Sequence, residues 1–185
     1  MQLFGSYNSP YVRHCRVALM QGNFDFDFVE ADSAMSAENS PTSKVPYFTD
    51  GEIKLTDSSS IVKYVREKSG KPFLADINDY ELFAMTNTLI DSAINLFLLE
   101  IDGATPDTVK YLGRQKQRID NGLVELNARF DPADGIATDS ALRCACFIDW
   151  ALFRKRISID GLDNLAALLQ AANGVSEFAA TAPPR

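Results

Sequence analysis

Three short segments within the first 61 residues carry side chains that can hold an anion or a thiolate. The first is Ser6-Tyr7-Asn8-Ser9-Pro10-Tyr11-Val12-Arg13. A polar loop runs into Ser-Pro, and serine at an N-cap with proline at the first helical position starts a helix. Capping alone accounts for Ser9. The same geometry also has a chemical use, because a helix N-terminus presents unpaired N–H groups and a partial positive charge. A hydroxyl beside it can donate to an anion. Tyr7 is a second hydroxyl in this loop, or simply an aromatic that covers the core. The second segment, Lys44-Val45-Pro46-Tyr47, leads into a strand. The Val-Pro step is ordinarily trans, and a cis bond there would turn the preceding backbone outward. The third, Leu55-Thr56-Asp57-Ser58-Ser59-Ser60-Ile61, runs from strand into helix. Asp57 or Ser58 is the cap, and the first N–H groups together with the Ser58 hydroxyl can bind a carboxylate.

These segments sit at the joints between elements. Gln2 to Gly5 reads as a short strand, and Pro10 to Gln21 as a helix closed by Gly22. Phe26 to Glu30 alternates apolar and acidic residues, as a strand with one covered face does. Ala31 to Lys44 is poor in large apolar groups and reads as a loop with at most one helical turn. Tyr47 to Thr49 and Ile53 to Leu55 pair about Asp50-Gly51, a strong hairpin signal. Ser58 to Lys68 is a helix with Ile61, Val62 and Val65 on its inner face. The order is β-α-β-(loop)-β-β-α.

After Gly70-Lys71-Pro72 the strands disappear. Asn78 and Glu81 form a capping box. The helix they open has two apolar stripes, one through Leu82, Met85, Leu89, Ala93 and Leu96, the other through Phe83, Ile90, Ile94 and Phe97. A helix apolar on two sides needs two partners. Thr105-Pro106 opens a second helix, Thr138 a third and Asp163 a fourth over Asn164 to Ala171. The chain is thus of the α+β class, a small α/β domain joined near residue 75 to an all-helical one. Residues 1–75 carry a net charge of −1 and residues 76–185 carry −6.

Composition narrows the function. The 185 residues are 46% hydrophobic and 23% charged, an ordinary globular balance. A net charge of −7 argues against nucleic acid or an anionic membrane as partner. The longest apolar-rich stretch, Leu96 to Leu99, is too short to span a bilayer, and no targeting segment follows Met1. The three cysteines, Cys15, Cys144 and Cys146, make no disulfide framework and point to a reducing cytoplasm. Cys15 completes an inward helical face with Val12 and Leu19. Cys144 and Cys146 face different sides of one helix, so no metal pair is expected. The one histidine, His14, excludes a His-rich metal site and is expected on the surface of the first helix.

In order and spacing, these segments resemble the glutathione transferase family. Gly5 to Arg13 looks like its active-site loop and first helix, and Lys44-Val45-Pro46 like its "KVP" turn with a cis proline. Asp57-Ser58 followed by Ile61 looks like its "[ED]-S-x-x-I" glutathione-binding motif. Ala145 to Arg154 (ACFIDWALFR) resembles the "ACALGYLDFR" stretch of bacterial members, and Glu177 to Pro184 resembles their last helix and exit. The resemblance implies a thioredoxin-like β-α-β-(α)-β-β-α domain over residues 1–75. It implies an all-helical bundle over residues 76–185 that carries the electrophile site and the dimer contacts.

The resemblance also implies roles. Ser9 stands where the family faces the glutathione sulfur, with Tyr7 as the competing hydroxyl. Val45, beside Pro46, stands where backbone groups pair with the cysteinyl unit as an added strand would. Asp57 and Ser58 stand where the γ-glutamyl end is held, and Lys44 is the candidate for the glycine carboxylate. Glutathione is then the co-substrate and no metal is needed. The implied activity is conjugation of glutathione to small apolar electrophiles, or hydroperoxide reduction, a detoxifying role in a cytoplasmic homodimer. The second stripe of the Asn78 helix would serve the dimer contact. Tyr7, Tyr11, Leu96 to Gly103 and Tyr111 would lie near the electrophile. Serine in place of cysteine at position 9 argues against the disulfide-exchange branches. The alternative is a catalytically inactive binding or regulatory module resembling the stringent starvation proteins. The presence of Ser9, Val45, Pro46, Asp57 and Ser58 together favours the enzyme.

Two departures stand out. The segment Ala31 to Lys44 is short for the family, so its second helix is expected to be stunted and the glycine end loosely held. Thr138 is followed three residues later by Ala141 rather than an acid, which loses half a capping box at a cost of about 1 kcal/mol at most.

Overall fold

Local punctuation decides most of the first unit. In the computed structural model, which describes residues 1–183, strand β1 spans Gln2–Gly5 and helix α1 spans Pro10–Gln21. Gly5 ends β1 where α1 comes closest: a Cβ there would lie 2.5 Å from Val12 Cγ2. Strand β2 (Asp27–Glu30) follows, then helix α2 (Ser33–Asn39), the hairpin β3 (Tyr47–Asp50) and β4 (Ile53–Leu55), and helix α3 (Ser58–Lys68). Gly51 turns the hairpin at φ +57, a conformation glycine adopts without steric cost.

The sheet order is β2-β1-β3-β4, with β1 and β2 parallel and the other pairs antiparallel. Leu3 pairs with both Phe28 and Phe48, and Phe48 pairs with Leu55, so these four side chains cross one face in a row. That face is the core. Leu3 and Phe48 are buried there with Val12, Cys15, Ala18 and Leu19 of α1 and Ile61, Val62 and Val65 of α3. The inward face expected from Val12, Cys15 and Leu19 is therefore present. His14 differs from expectation: it is fully buried. Helix α8 (Ser176–Ala180) packs on α1. The first unit is accordingly Met1–Ala75 together with the chain from Asn173 on, whereas the sequence places a single boundary near residue 75. Pro184, the last residue of the tail motif, lies outside the described residues.

The second unit, Asp76–Ala172, is built on helices α4 (Ile77–Ile101), α5 (Lys110–Arg129), α6 (Asp139–Phe153) and α7 (Asp163–Asn173). α4 packs on both α5 and α6. Of its first apolar stripe, Leu82, Leu89 and Ala93 are buried; of its second, Phe83 and Ile90 are buried while Ile94 and Phe97 are half-buried. α4 is also long and apolar enough, at a mean hydropathy of 1.5, to meet the length and composition of a membrane span. The reading that no stretch is long enough is corrected on that count. A bundle helix covered on two sides has the same composition.

Several helix starts differ from the sequence reading. α2 has seven residues rather than at most one turn, because Asp32 Oδ1 accepts from Met35 N at 2.9 Å. α4 is capped by Asp76, whose Oδ1 accepts from Asp79 N at 2.8 Å, not by Asn78. Thr105-Pro106 opens only a turn, in which the Thr108 hydroxyl donates to the Thr105 carbonyl at 3.1 Å; α5 begins at Lys110 without a side-chain cap. Thr138 caps α6 as expected, accepting from Ala141 N at 3.2 Å. The head of α7 is held by a residue far away in sequence: Asn127 Oδ1 accepts from Asn164 N at 3.0 Å and from Leu165 N at 3.2 Å.

Candidate functional site

Strand direction brings the three polar segments to one end of the sheet. β1 runs toward that end and releases the chain into Ser6–Ser9. β3 is antiparallel to β1, with Phe4 opposite Tyr47, so Lys44-Val45-Pro46 enters β3 at the same end. β4 is antiparallel to β3, with Phe48 opposite Leu55, so Thr56, Asp57 and Ser58 leave β4 there too. The heads of α1 and α3 therefore lie at one edge of the first unit, on either side of the start of β3.

Each segment has a defined local geometry. Ser9 is the N-cap of α1 at φ −87° and ψ 126°, and its Oγ accepts from Val12 N at 3.3 Å. A hydroxyl that accepts from the backbone keeps its proton for another partner. The Ser9 N–H donates to Ser6 O at 3.1 Å, which closes the loop. Tyr7 is more than one-third exposed, with its ring edge-on to Phe28 at 4.7 Å and the Arg16 guanidinium carbon 4.9 Å from its centroid. Burial lowers the Arg16 pKa, while Tyr7 acts in the opposite direction.

The Val45–Pro46 peptide is cis. Pro46 is buried, Val45 is half-buried and Lys44 is exposed. Tyr47, the next residue, stacks on Phe4 at 4.6 Å, and its phenol pKa is raised by burial and then by Asp32 and Glu38. Asp57 is the N-cap of α3, and its Oδ1 accepts from Ser59 N at 2.8 Å and Ser60 N at 3.3 Å. One oxygen does both capping jobs, which leaves the other oxygen of an exposed carboxylate for a cation. Ser58 is buried as the first residue of α3, and its carbonyl accepts from the Cys15 thiol at 3.8 Å.

Arg13 and Arg16 have no role in the sequence reading. They reach from α1 to the end of α8. Arg13 is buried, its Nη2 donates to Phe178 O at 2.9 Å, and its guanidinium lies 3.7 Å from the Phe178 ring centroid. Arg16 Nη1 donates to Thr181 O at 3.4 Å. No spacing in the sequence relates positions 13 and 178.

The three cysteines are buried and form no disulfide among the described residues. Burial, and then the neighbouring Cys146, push the Cys144 thiol pKa far up. Among the described residues no cluster of three or more His, Cys, Asp or Glu groups forms a metal site.

Residues 3–73 match the family described as glutathione S-transferase, N-terminal domain. The chain is 25% identical to the GST-like protein YibF of Escherichia coli K12 over the full length of both. A glutathione S-transferase from Methylobacillus flagellatus KT, solved with glutathione bound, superposes with a TM-score of 0.84 at 22% identity, covering 99% of each chain. One from Methylobacterium radiotolerans, solved with glutathione sulfonate, superposes with a TM-score of 0.85 at 21% identity, covering 100% of this chain and 95% of the other.

Proposed function

We propose that the chain belongs to the glutathione S-transferase family, binds glutathione at the end of its sheet and activates the thiol. The observation that carries this reading is the convergence of Ser6–Ser9, Lys44–Pro46 and Thr56–Ser58 at one sheet end. Around them the ligand's groups find complements. Val45 offers backbone groups to the cysteinyl unit. Asp57 offers a carboxylate oxygen to the γ-glutamyl ammonium, and Ser58 offers its hydroxyl to the adjoining carboxylate. Lys44 serves the glycine carboxylate.

The Ser9 hydroxyl donates to the sulfur. A free thiol titrates near ~8.5, so only a few per cent is thiolate at pH 7. Lowering that value by about two units takes about 2.7 kcal/mol. A hydrogen bond to a charged group supplies roughly 1.5–3 kcal/mol, and a helix N-terminus about 0.3–1. One serine at the head of α1 is therefore sufficient, and Ser9 forms no covalent bond. The thiolate attacks the electrophilic carbon, the C–S bond forms, and the leaving group takes the electron pair; with a hydroperoxide, attack on the terminal oxygen breaks the O–O bond and gives the sulfenic acid, and the alkoxide leaves with the electron pair and takes a proton to become the alcohol. The protein's share is to hold the sulfur as an anion beside a small apolar electrophile.

Calorimetric titration of glutathione tests the reading. Micromolar to millimolar binding that is weakened by Asp57→Ala supports it. No binding of glutathione overturns it and leaves the inactive regulatory module. The cytoplasmic homodimer expected from the family is part of the same proposal, and light scattering checks the dimer.

A further inference from the structure

Helices α1, α3, α4 and α6 end in the same way. In each, the residue after the last turn takes a left-handed conformation, and the following N–H reaches back five positions: Phe24 N to Leu19 O, Lys71 N to Arg66 O, Ala104 N to Leu99 O and Arg156 N to Ala151 O. The left-handed residues are Asn23, Gly70, Gly103 and Lys155. Glycine and asparagine are the residues that tolerate this position. Lysine is not, yet α6 ends on Lys155 at φ +55.

Lys155 lines a cavity of about 270 Å³ within the helical unit. Its floor is aliphatic, formed by Ala93 and Leu96 of α4, Pro106, and Ile119 of α5. Its charged groups are Glu100, Lys116, Asp120, Lys155 and Arg156. Both acids are already paired, Glu100 with Arg156 and Asp120 with Lys116 at 2.8 Å. Lys155 has no carboxylate partner among the described residues. The cavity therefore carries one excess positive charge in a region whose sum is −6. A strained backbone position that keeps a lysine, above an aliphatic floor, is an outlier that points to use of the side chain.

We propose that this cavity is a binding site for a medium-chain aliphatic carboxylate. The alkyl chain lies on Ala93, Leu96, Pro106 and Ile119, and the carboxylate meets the Lys155 ammonium. Size fits this class, since an apolar cavity of about 150 Å³ takes one benzene and this one is under twice as large. The proposal does not depend on the glutathione site.

The test is a calorimetric titration of the full chain with octanoate and with 1-octanol. Octanoate binds one per chain, more weakly as salt is raised, and 1-octanol binds about tenfold more weakly or worse. In Lys155→Gly the octanoate affinity falls about tenfold, while Tm rises by about 2–4 °C because the left-handed strain is relieved. Absence of octanoate binding overturns the site. Equal affinity of octanoate and octanol, or full affinity in Lys155→Gly, overturns the carboxylate assignment. A lower Tm in Lys155→Gly shows that the lysine serves the helix end itself, which removes the reason for the proposal.

Discussion

The Cys15 thiol donates to the carbonyl oxygen of Ser58 across 3.8 Å, so the head of α3 is tied to a residue in the second turn of α1. The helix proposed to face the glutathione sulfur and the helix proposed to hold its γ-glutamyl end share this contact. Both residues are buried. Cys15→Ala removes the sulfur and leaves a small void. The expected outcome is a loss of about 1 kcal/mol in urea unfolding and a weaker glutathione Kd, with kcat at saturation retained.

Ser9 caps its helix and is proposed to donate to the sulfur, and two variants separate these tasks. Ser9→Ala loses about 1 kcal/mol of stability and about 10- to 100-fold in conjugation rate at pH 7. Ser9→Asp keeps the cap, so Tm recovers, but its charge opposes a thiolate and the rate stays low. Stopped-flow absorbance of the bound thiolate against pH is the measurement. Full activity in Ser9→Ala transfers the role to Tyr7.

Asp57 also has two tasks. Asparagine caps as well as aspartate does, so Asp57→Asn keeps Tm within about 0.5 kcal/mol equivalent and raises the glutathione KM about tenfold. Asp57→Ala loses both, and thermal melts beside KM measurements distinguish the two variants. Equal KM values for wild type and Asp57→Asn would show that the carboxylate charge is not used.

The Cys144 thiol gives a stability slope at alkaline pH. Its folded pKa lies above the ordinary value of 9.0 because burial disfavours the thiolate. Above about pH 9 the unfolded chain releases this proton while the folded chain keeps it, so the unfolded state binds fewer protons and stability falls as pH rises. The slope is about 1.4 kcal/mol per pH unit at most for one group. Urea midpoints between pH 8 and 11 should fall more steeply in wild type than in Cys144→Ala. The same burial leaves all three thiols unreactive toward a disulfide reagent until the chain is unfolded.

Where punctuation is local, the sequence was legible. Ser9-Pro10, Asp50-Gly51 and Asp57-Ser58 give α1, the β3–β4 turn and α3 at their observed bounds. It misled where a local signal was outcompeted: Thr105-Pro106 has the form of a cap, but the Thr108 hydroxyl closes a turn on the Thr105 carbonyl first. It was silent where the partner is distant. Asn127 holds the head of α7, and Arg13 holds the end of α8, across 37 and 165 residues. The convergence at the sheet end follows from strand directions, which the order of elements implies but does not establish.

The return of α8 onto α1 bears on synthesis. Arg13 leaves the ribosome 165 residues ahead of Phe178, whose carbonyl it binds. Until then a guanidinium destined for burial stays hydrated, and the helix that begins at Ser9 lacks its outer cover. The unit begun before the helical one is thus completed after it, and the intervening helical unit must be made before it can close.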